Sequence, residues 1–242
     1  MKILAVNGSP RGRDGNTEQL LQPFLNGARS AGAEVEVIYL KDKRIGHCLG
    51  CSACLMKTPG VCVQQDDMTE LLEKLRQADT IVYATPLYFY TVSGLMKNFL
   101  DRHLPLILPY TVKYGDRYGH PKRDNEKTQK MVLISNCGFP ERLHFAGLME
   151  TFRLCCTTNP GYELAGMILC PAGNILSRPT LMGQFRWYLE ACEAAGREVA
   201  TGSAISSETQ ATLDRLITDP EIYVNGTNAF LKTFLPSNPD NQ

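Results

Sequence analysis

The sequence predicts a doubly wound α/β domain on a five-stranded parallel sheet. Short apolar runs alternate five times with stretches of helical periodicity, and connections rich in ligand-type residues follow three of those runs. The strand order 2-1-3-4-5 favoured by such a pattern places those three connections at one edge of the sheet.

The first strand is the short apolar run Lys2-Ile3-Leu4-Ala5-Val6, and the turn Asn7-Gly8-Ser9-Pro10-Arg11-Gly12-Arg13-Asp14-Gly15-Asn16-Thr17 delivers it into a helix. A helix N-terminus at the carboxyl end of a parallel strand favours an anion, so a phosphate is expected there. Gly8, Gly12 and Gly15 let the backbone approach a ligand, Ser9, Asn16 and Thr17 supply donors, and Arg11 is a partner for phosphate oxygens. The loop fits neither G-x-x-x-x-G-K-[ST] nor G-x-G-x-x-G, which disfavours a P-loop nucleotidase or a dinucleotide-binding dehydrogenase.

Leu20, Leu21, Phe24, Leu25 and Ala28 give the first helix its apolar stripe, and residues 35–40 read as the second strand. Asp66 or Asp67 opens a helix carrying Leu71, Leu72 and Leu75, and residues 80–84 form the third strand. After it comes Thr85-Pro86-Leu87-Tyr88-Phe89-Tyr90, whose aromatic content suits the wall of a site for a flat ring. Residues 104–129, with the charged run 122–127, read as a partly irregular excursion, a candidate lid or oligomer contact. Met131-Val132-Leu133-Ile134 is the fourth strand, ending at Ser135-Asn136-Cys137-Gly138-Phe139-Pro140, the third loop of the edge. A helix over 141–156, a fifth strand over 163–169, helices over 181–200 and 208–217, and an aromatic tail over 220–242 complete the chain. The expected division is a domain of residues 1–200, with a cysteine loop at 46–64, and a C-terminal helical extension of 201–242 packed on it or on a neighbouring subunit.

The 242 residues balance 25 basic against 25 acidic side chains, so no net field recruits nucleic acid or an anionic membrane. Met1-Lys2-Ile3-Leu4 runs directly into a strand without a signal-peptide pattern, and no apolar stretch is long enough to span a bilayer. A cytoplasmic protein is expected.

Nine cysteines suit metal or redox use better than a secreted disulfide scaffold. Cys48, Cys51, Cys54 and Cys62 stand in a C-x2-C-x2-C-x7-C pattern on one Gly- and Pro-containing loop. Four thiolates are the ligand set of a 4Fe-4S cluster or a structural zinc, and three closely spaced cysteines favour iron and sulfur. Free thiols packed in a loop are the competing reading, and His47 reads as a loop residue. Cys155, Cys156, Cys170 and Cys192 read as small core residues, whereas Cys137 falls on the third loop, near any bound cofactor.

Together these pieces resemble a known family. Gly8-Ser9-Pro10-Arg11 with Gly15-Asn16-Thr17, the cysteine loop followed by Asp66-Asp67-Met68, Ala78-Asp79, and Thr85-Pro86-Leu87-Tyr88 with Lys97 and Asp101-Arg102 resemble the flavodoxin-like NADPH-dependent FMN reductases, specifically their iron-sulfur flavoprotein branch. The resemblance implies bound FMN, with Ser9, Arg11, Asn16 and Thr17 at the phosphate, Pro86, Leu87, Tyr88 and Phe89 along the isoalloxazine, and Ser135, Asn136, Cys137 and Gly138 at its polar edge. It implies electrons arriving from NAD(P)H, a transient reductant, or from ferredoxin, and leaving to a small acceptor such as a quinone, a nitro compound or free flavin. The flavin carries that chemistry, so no general acid or base is expected. It also implies a homodimer or homotetramer. A cluster at Cys48, Cys51, Cys54 and Cys62 would make the chain an electron carrier; free thiols there would let Cys48 or Cys51 form a redox-active disulfide beside the flavin. A redox sensor module is the third reading.

Overall fold

The computed structural model describes residues 1–124, 127–178 and 183–235. Strands β1 (Lys2–Asn7), β2 (Glu34–Tyr39), β3 (Thr80–Pro86), β6 (Gln129–Asn136) and β7 (Tyr162–Cys170) form one parallel sheet in the order β2-β1-β3-β6-β7. Counted over the sheet's own strands this is 2-1-3-4-5, the flavodoxin-like order expected. The two remaining strands, β4 (Val112–Tyr114) and β5 (Arg117–Gly119), pair only with each other.

The central strands are apolar on both faces because both faces are covered. Ile3 and Ala5 of β1 and Val82 and Ala84 of β3 point toward α1 (Asn16–Ser30) and α6 (Arg186–Ala200). Their sequence neighbours Leu4, Val6, Ile81 and Tyr83 point toward α3 (Met68–Gln77), α4 (Gly94–Asp101) and α5 (Ala146–Thr157). On the first face α1 and α6 pack backbone to backbone. A Cβ on Gly27 would lie 1.9 Å from the Glu193 carbonyl oxygen, and one on Gly196 would lie 1.9 Å from that of Phe24.

The cysteine loop carries the single-turn helix α2 (Ala53–Met56), and the extension adds α7 (Ser207–Leu213) and α8 (Pro220–Lys232). The helix expected over 208–217 therefore stops at Leu213. The segment expected as a tail carries α8 instead, started by Pro220 in its first turn and by Asp219 Oδ1, which accepts from the Glu221 and Ile222 amides at 2.9 and 3.0 Å. A 3-10 turn, Arg142–Phe145, replaces the first residues of the helix expected from 141. The excursion 104–129 contains a 3-10 turn (Leu104–Leu106) and the β4–β5 hairpin, which the sequence reading missed. Positions 125 and 126 of its charged run, the expected helix start at 181 and the tail end 236–242 lie outside the described residues.

Candidate functional site at the carboxyl edge of the sheet

The loops after β1, β3 and β6 meet at the carboxyl edge, and polar side chains tie them together. Asn7, the last residue of β1, accepts the Ser9 amide on Oδ1 at 2.8 Å and donates from Nδ2 to Glu18 Oε2 at 2.8 Å. Ser93, the N-cap of α4, accepts the Met96 amide at 3.2 Å and donates to the Gly8 carbonyl at 2.6 Å, joining the second loop to the first. Asn136 Nδ2 donates to Thr17 Oγ1 at 2.8 Å, and the Asn136 carbonyl accepts the Leu87 amide at 2.8 Å, so one residue ties the third loop to both others.

The residues expected at the phosphate divide by burial. Ser9, Asn16 and Thr17 are buried, Asn16 and Thr17 in the first turn of α1, while Arg11 stands exposed at the rim. A Cβ at Gly15 would lie 2.6 Å from Ser9 Oγ, so a side chain there would displace that hydroxyl. On the third loop the Ser135 hydroxyl is buried without a partner among the described residues. Buried cradle donors, a helix N-terminus and an unsatisfied hydroxyl fit a phosphate with a polar ring beside it. Cys137 is buried, its thiol pushed up to about 11 by desolvation, so it sits at the site as a packed thiol. Tyr223 of α8 donates to the Gly138 carbonyl at 2.9 Å, bringing the extension onto the third loop.

The wall residues divide as well. Pro86 is buried and Leu87 half-buried, but Tyr88, Phe89 and Tyr90 project outward, Phe89 with 95% of its surface exposed. Phe89 and Tyr90 hold φ of 47° and 63°, left-handed backbone that bulky residues rarely adopt. Tyr90, His144 and Phe139 line up, with centroids 6.1 Å apart for the first pair and 4.1 Å for the second.

Two features escaped the sequence reading. Glu18 is buried and accepts from Asn7, from Gln22 at 2.6 Å and from the Tyr39 hydroxyl at 2.7 Å; burial and this bond push Tyr39 up to about 12. A cavity of about 560 Å³ opens beneath the excursion, between α4 and α5, and reaches Thr91 and Lys97. His103 lines it with a buried Nε2 that has no partner among the described residues, and desolvation pulls this histidine down to about 4.

The four clustered cysteines form a separate centre beside the second half of α4. Cys48, Cys51, Cys54 and Cys62 line one small pocket together with Arg102. Asn98 of α4 donates to the Ile45 carbonyl at 2.7 Å, and the Asp66–Arg102 ion pair, 2.7 Å long and buried, fixes the loop's exit. Burial opposes both charges and the hydrogen bonds between them outweigh it, so Asp66 is lowered and Arg102 raised. Desolvation, then the neighbouring Cys62, Cys48 and Cys51, push the Cys54 thiol up. Among the described residues no three His, Cys, Asp or Glu side chains are placed to hold a single metal ion. Four cysteines lining one pocket supply the thiolate donor set that a 4Fe-4S cluster or a zinc ion takes. Of the other cysteines, Cys170 and Cys192 are buried and Cys156 half-buried, but Cys155 is exposed and lines the cavity rather than the core.

Comparison with known proteins agrees with this geometry. The family model for NADPH-dependent FMN reductase matches residues 1–120. An iron-sulfur flavoprotein of Archaeoglobus fulgidus is 48% identical over 102 residues, covering 42% of this chain and 48% of the relative. YwqN of Bacillus subtilis, named for NAD(P)H-dependent FMN-containing oxidoreductases, is 31% identical over 169 residues, covering 61% of this chain and 80% of its own. The chain spans between 48% and 61% of the length of the first three curated relatives it matches. Among solved structures, an FMN-dependent NADH-azoreductase of Bacillus anthracis in complex with FMN superposes with a TM-score of 0.57 at 17% identity, covering 84% of this chain and 99% of the other. An NAD(P)H:quinone oxidoreductase of Methanothermobacter marburgensis gives 0.57 at 18% identity, covering 82% and 96%. These structural likenesses establish the fold.

Proposed function

Because the chain belongs to the NADPH-dependent FMN reductase family, we propose that it binds FMN at the three-loop edge and passes electrons from NAD(P)H to a small acceptor such as a quinone, a nitro compound or free flavin. The observation that carries this reading is the cross-tied edge, where Asn136 holds Thr17 and Leu87 at once and the Ser135 hydroxyl is left for a ligand. Ser9, Asn16 and Thr17 would donate to the phosphate, and Arg11 at the rim would pair with its oxygens. Pro86, Leu87, Tyr88 and Phe89 orient the ring, while Ser135, Asn136, Cys137 and Gly138 meet its polar edge. Bound FMN supplies the electron chemistry, accepting a hydride and releasing electrons singly or in pairs. The protein's part is to position, desolvate and tune it. Steady-state NADPH oxidation with a panel of acceptors tests the reading; FMN-loaded protein that oxidises neither NADPH nor NADH with any of them overturns it.

A second reading, an electron carrier taking electrons from ferredoxin through a 4Fe-4S cluster on Cys48, Cys51, Cys54 and Cys62, is favoured by the convergence of all four cysteines on one pocket. Relatives named iron-sulfur flavoproteins support it. Iron and acid-labile sulfide assays on anaerobically purified protein decide it, and flavin without iron refutes it. We also propose that residues 1–200 form the FMN-binding unit, with 201–242 packed on it or on a neighbouring subunit, and that the protein is a homodimer or homotetramer, since Phe230, Leu231, Phe234 and Leu235 expose apolar surface on and beyond α8. A monomeric mass by light scattering would dispose of the oligomer. No helix among the described residues is long and apolar enough to cross a membrane.

A further inference from the structure

Arg102 has only 1% of its side chain exposed, and the binding of FMN gives it no task. Its end-on edge is fully used: Nη1 and Nη2 fork the Asp66 carboxylate at 2.7 and 3.1 Å, and Nη1 donates also to the Gly46 carbonyl at 2.7 Å. That fork is sufficient to clip the cysteine loop to α4. The side-on edge is not explained by it.

In a planar guanidinium the side-on edge consists of Nε–H and the terminal nitrogen lying away from Cδ, which is Nη2. Nη2 donates from there to Cys62 Sγ at 3.4 Å. Nε is buried and has no partner among the described residues. The unsatisfied N–H therefore lies on the edge that faces the Cys62 sulfur, in a residue lining the same pocket as all four cysteines. Buried N–H groups are rarely left without acceptors, and the pocket is where a further sulfur would sit.

We propose that Arg102 is the positioning and tuning residue of the cysteine centre, donating from Nη2 to Cys62 and from Nε to a sulfur of the bound cluster, and so raising the cluster's reduction potential. This rests on the cluster reading of the loop. Reduction adds one electron, with no bond made or broken at the cysteines. The group becomes more negative, and a buried cation with N–H donors on its sulfurs stabilises that state over the oxidised one.

The test is an EPR-monitored redox titration, with dithionite as reductant, of anaerobically purified holoprotein and its Arg102→Lys variant. Lysine keeps a positive charge for Asp66 and lacks the planar edge. At a fixed ambient potential the reduced-to-oxidised ratio of the cluster should fall about tenfold, a midpoint lower by about 59 mV for a one-electron couple. The FMN midpoints in the same sample should not move. An unchanged or higher cluster midpoint overturns the proposal. The Asp66→Asn/Arg102→Gln double variant removes both charges together and avoids burying one unpaired, and its midpoint should fall as well. Loss of iron from both variants assigns Arg102 to holding the loop in place and overturns the tuning role. Wild-type protein with FMN but no iron or sulfide sinks the cluster reading and the proposal together, whereas absent NADPH turnover leaves the midpoint comparison standing.

Discussion

Replacing Phe89 and Tyr90 by Asn and Gly should make the protein more stable and a poorer catalyst with planar acceptors. Tyr88 and Thr91 exchange backbone hydrogen bonds of 3.0 and 3.1 Å around the pair. This is a two-residue hairpin turn with both central φ positive, for which Asn-Gly is the preferred sequence. Left-handed backbone costs an ordinary L residue about 1–2 kcal/mol, so the two aromatics together hold roughly 2–4 kcal/mol of strain. Little burial is lost on replacing them, because Phe89 is 95% and Tyr90 56% exposed. The contact of Tyr90 with His144 is worth about 1 kcal/mol, and the freedom of glycine in the unfolded chain takes back about 0.5–1 kcal/mol. The net expectation is a gain of about 1–2 kcal/mol, read as a higher urea midpoint with an unchanged slope. KM for a planar quinone should rise at the same time, because the rings that the strain projects beside the site are gone. A midpoint that fails to rise refutes the strain argument; an unchanged KM refutes a functional reason for it.

Thr17→Val removes the acceptor of Asn136 Nδ2 and, in the proposed site, a donor to the phosphate, and should weaken FMN binding by about 1–3 kcal/mol, measured as flavin fluorescence quenching on titration of apoprotein. Retention of wild-type affinity would place the phosphate elsewhere. Gly196→Ala forces a methyl to within 1.9 Å of the Phe24 carbonyl oxygen, so α1 and α6 must separate, and a loss of about 3 kcal/mol or more is expected in denaturant unfolding. His103 titrates near 4 in the folded protein against 6.5 for the free side chain, so the unfolded chain takes the proton first as pH falls. Its contribution is complete above about pH 6.5, is lost between there and pH 4, and amounts to about 3 kcal/mol. His103→Asn should flatten stability over that window, and a curve as steep as wild type would show that other groups carry it.

The sheet was legible because its strands are continuous apolar runs buried on both faces, and because three loops of ligand-type residues point to one edge. The placing of Ser9, Asn16 and Thr17 at the loop after β1 and the start of α1 followed from the same local logic. What escaped depends on partners distant in sequence or on signals too short to read. Glu18 looks like an ordinary helix-start carboxylate until Asn7 and Tyr39 close around it. Arg102 looks like a surface charge at a helix end, yet it is buried against Asp66 by a contact spanning 36 residues. The strands β4 and β5 are three residues each, below the length at which alternation is visible. Cys155 and Cys156 are adjacent, and composition has no means to tell that one is half-buried and the other lines the cavity.

Helix α4 works as a ruler. Ser93 at its N-cap is bonded to the first loop and Arg102 at its C-cap to the cysteine pocket, nine residues and about 13 Å apart along the axis. Inserting or deleting one residue between them would turn one end by about 100° relative to the other and shift it by about 1.5 Å, detaching either Ser93 from Gly8 or Arg102 from Asp66. Substitutions along its exposed face are open to drift; its length is not, and a lineage that lost one centre would lose the constraint on that length with it.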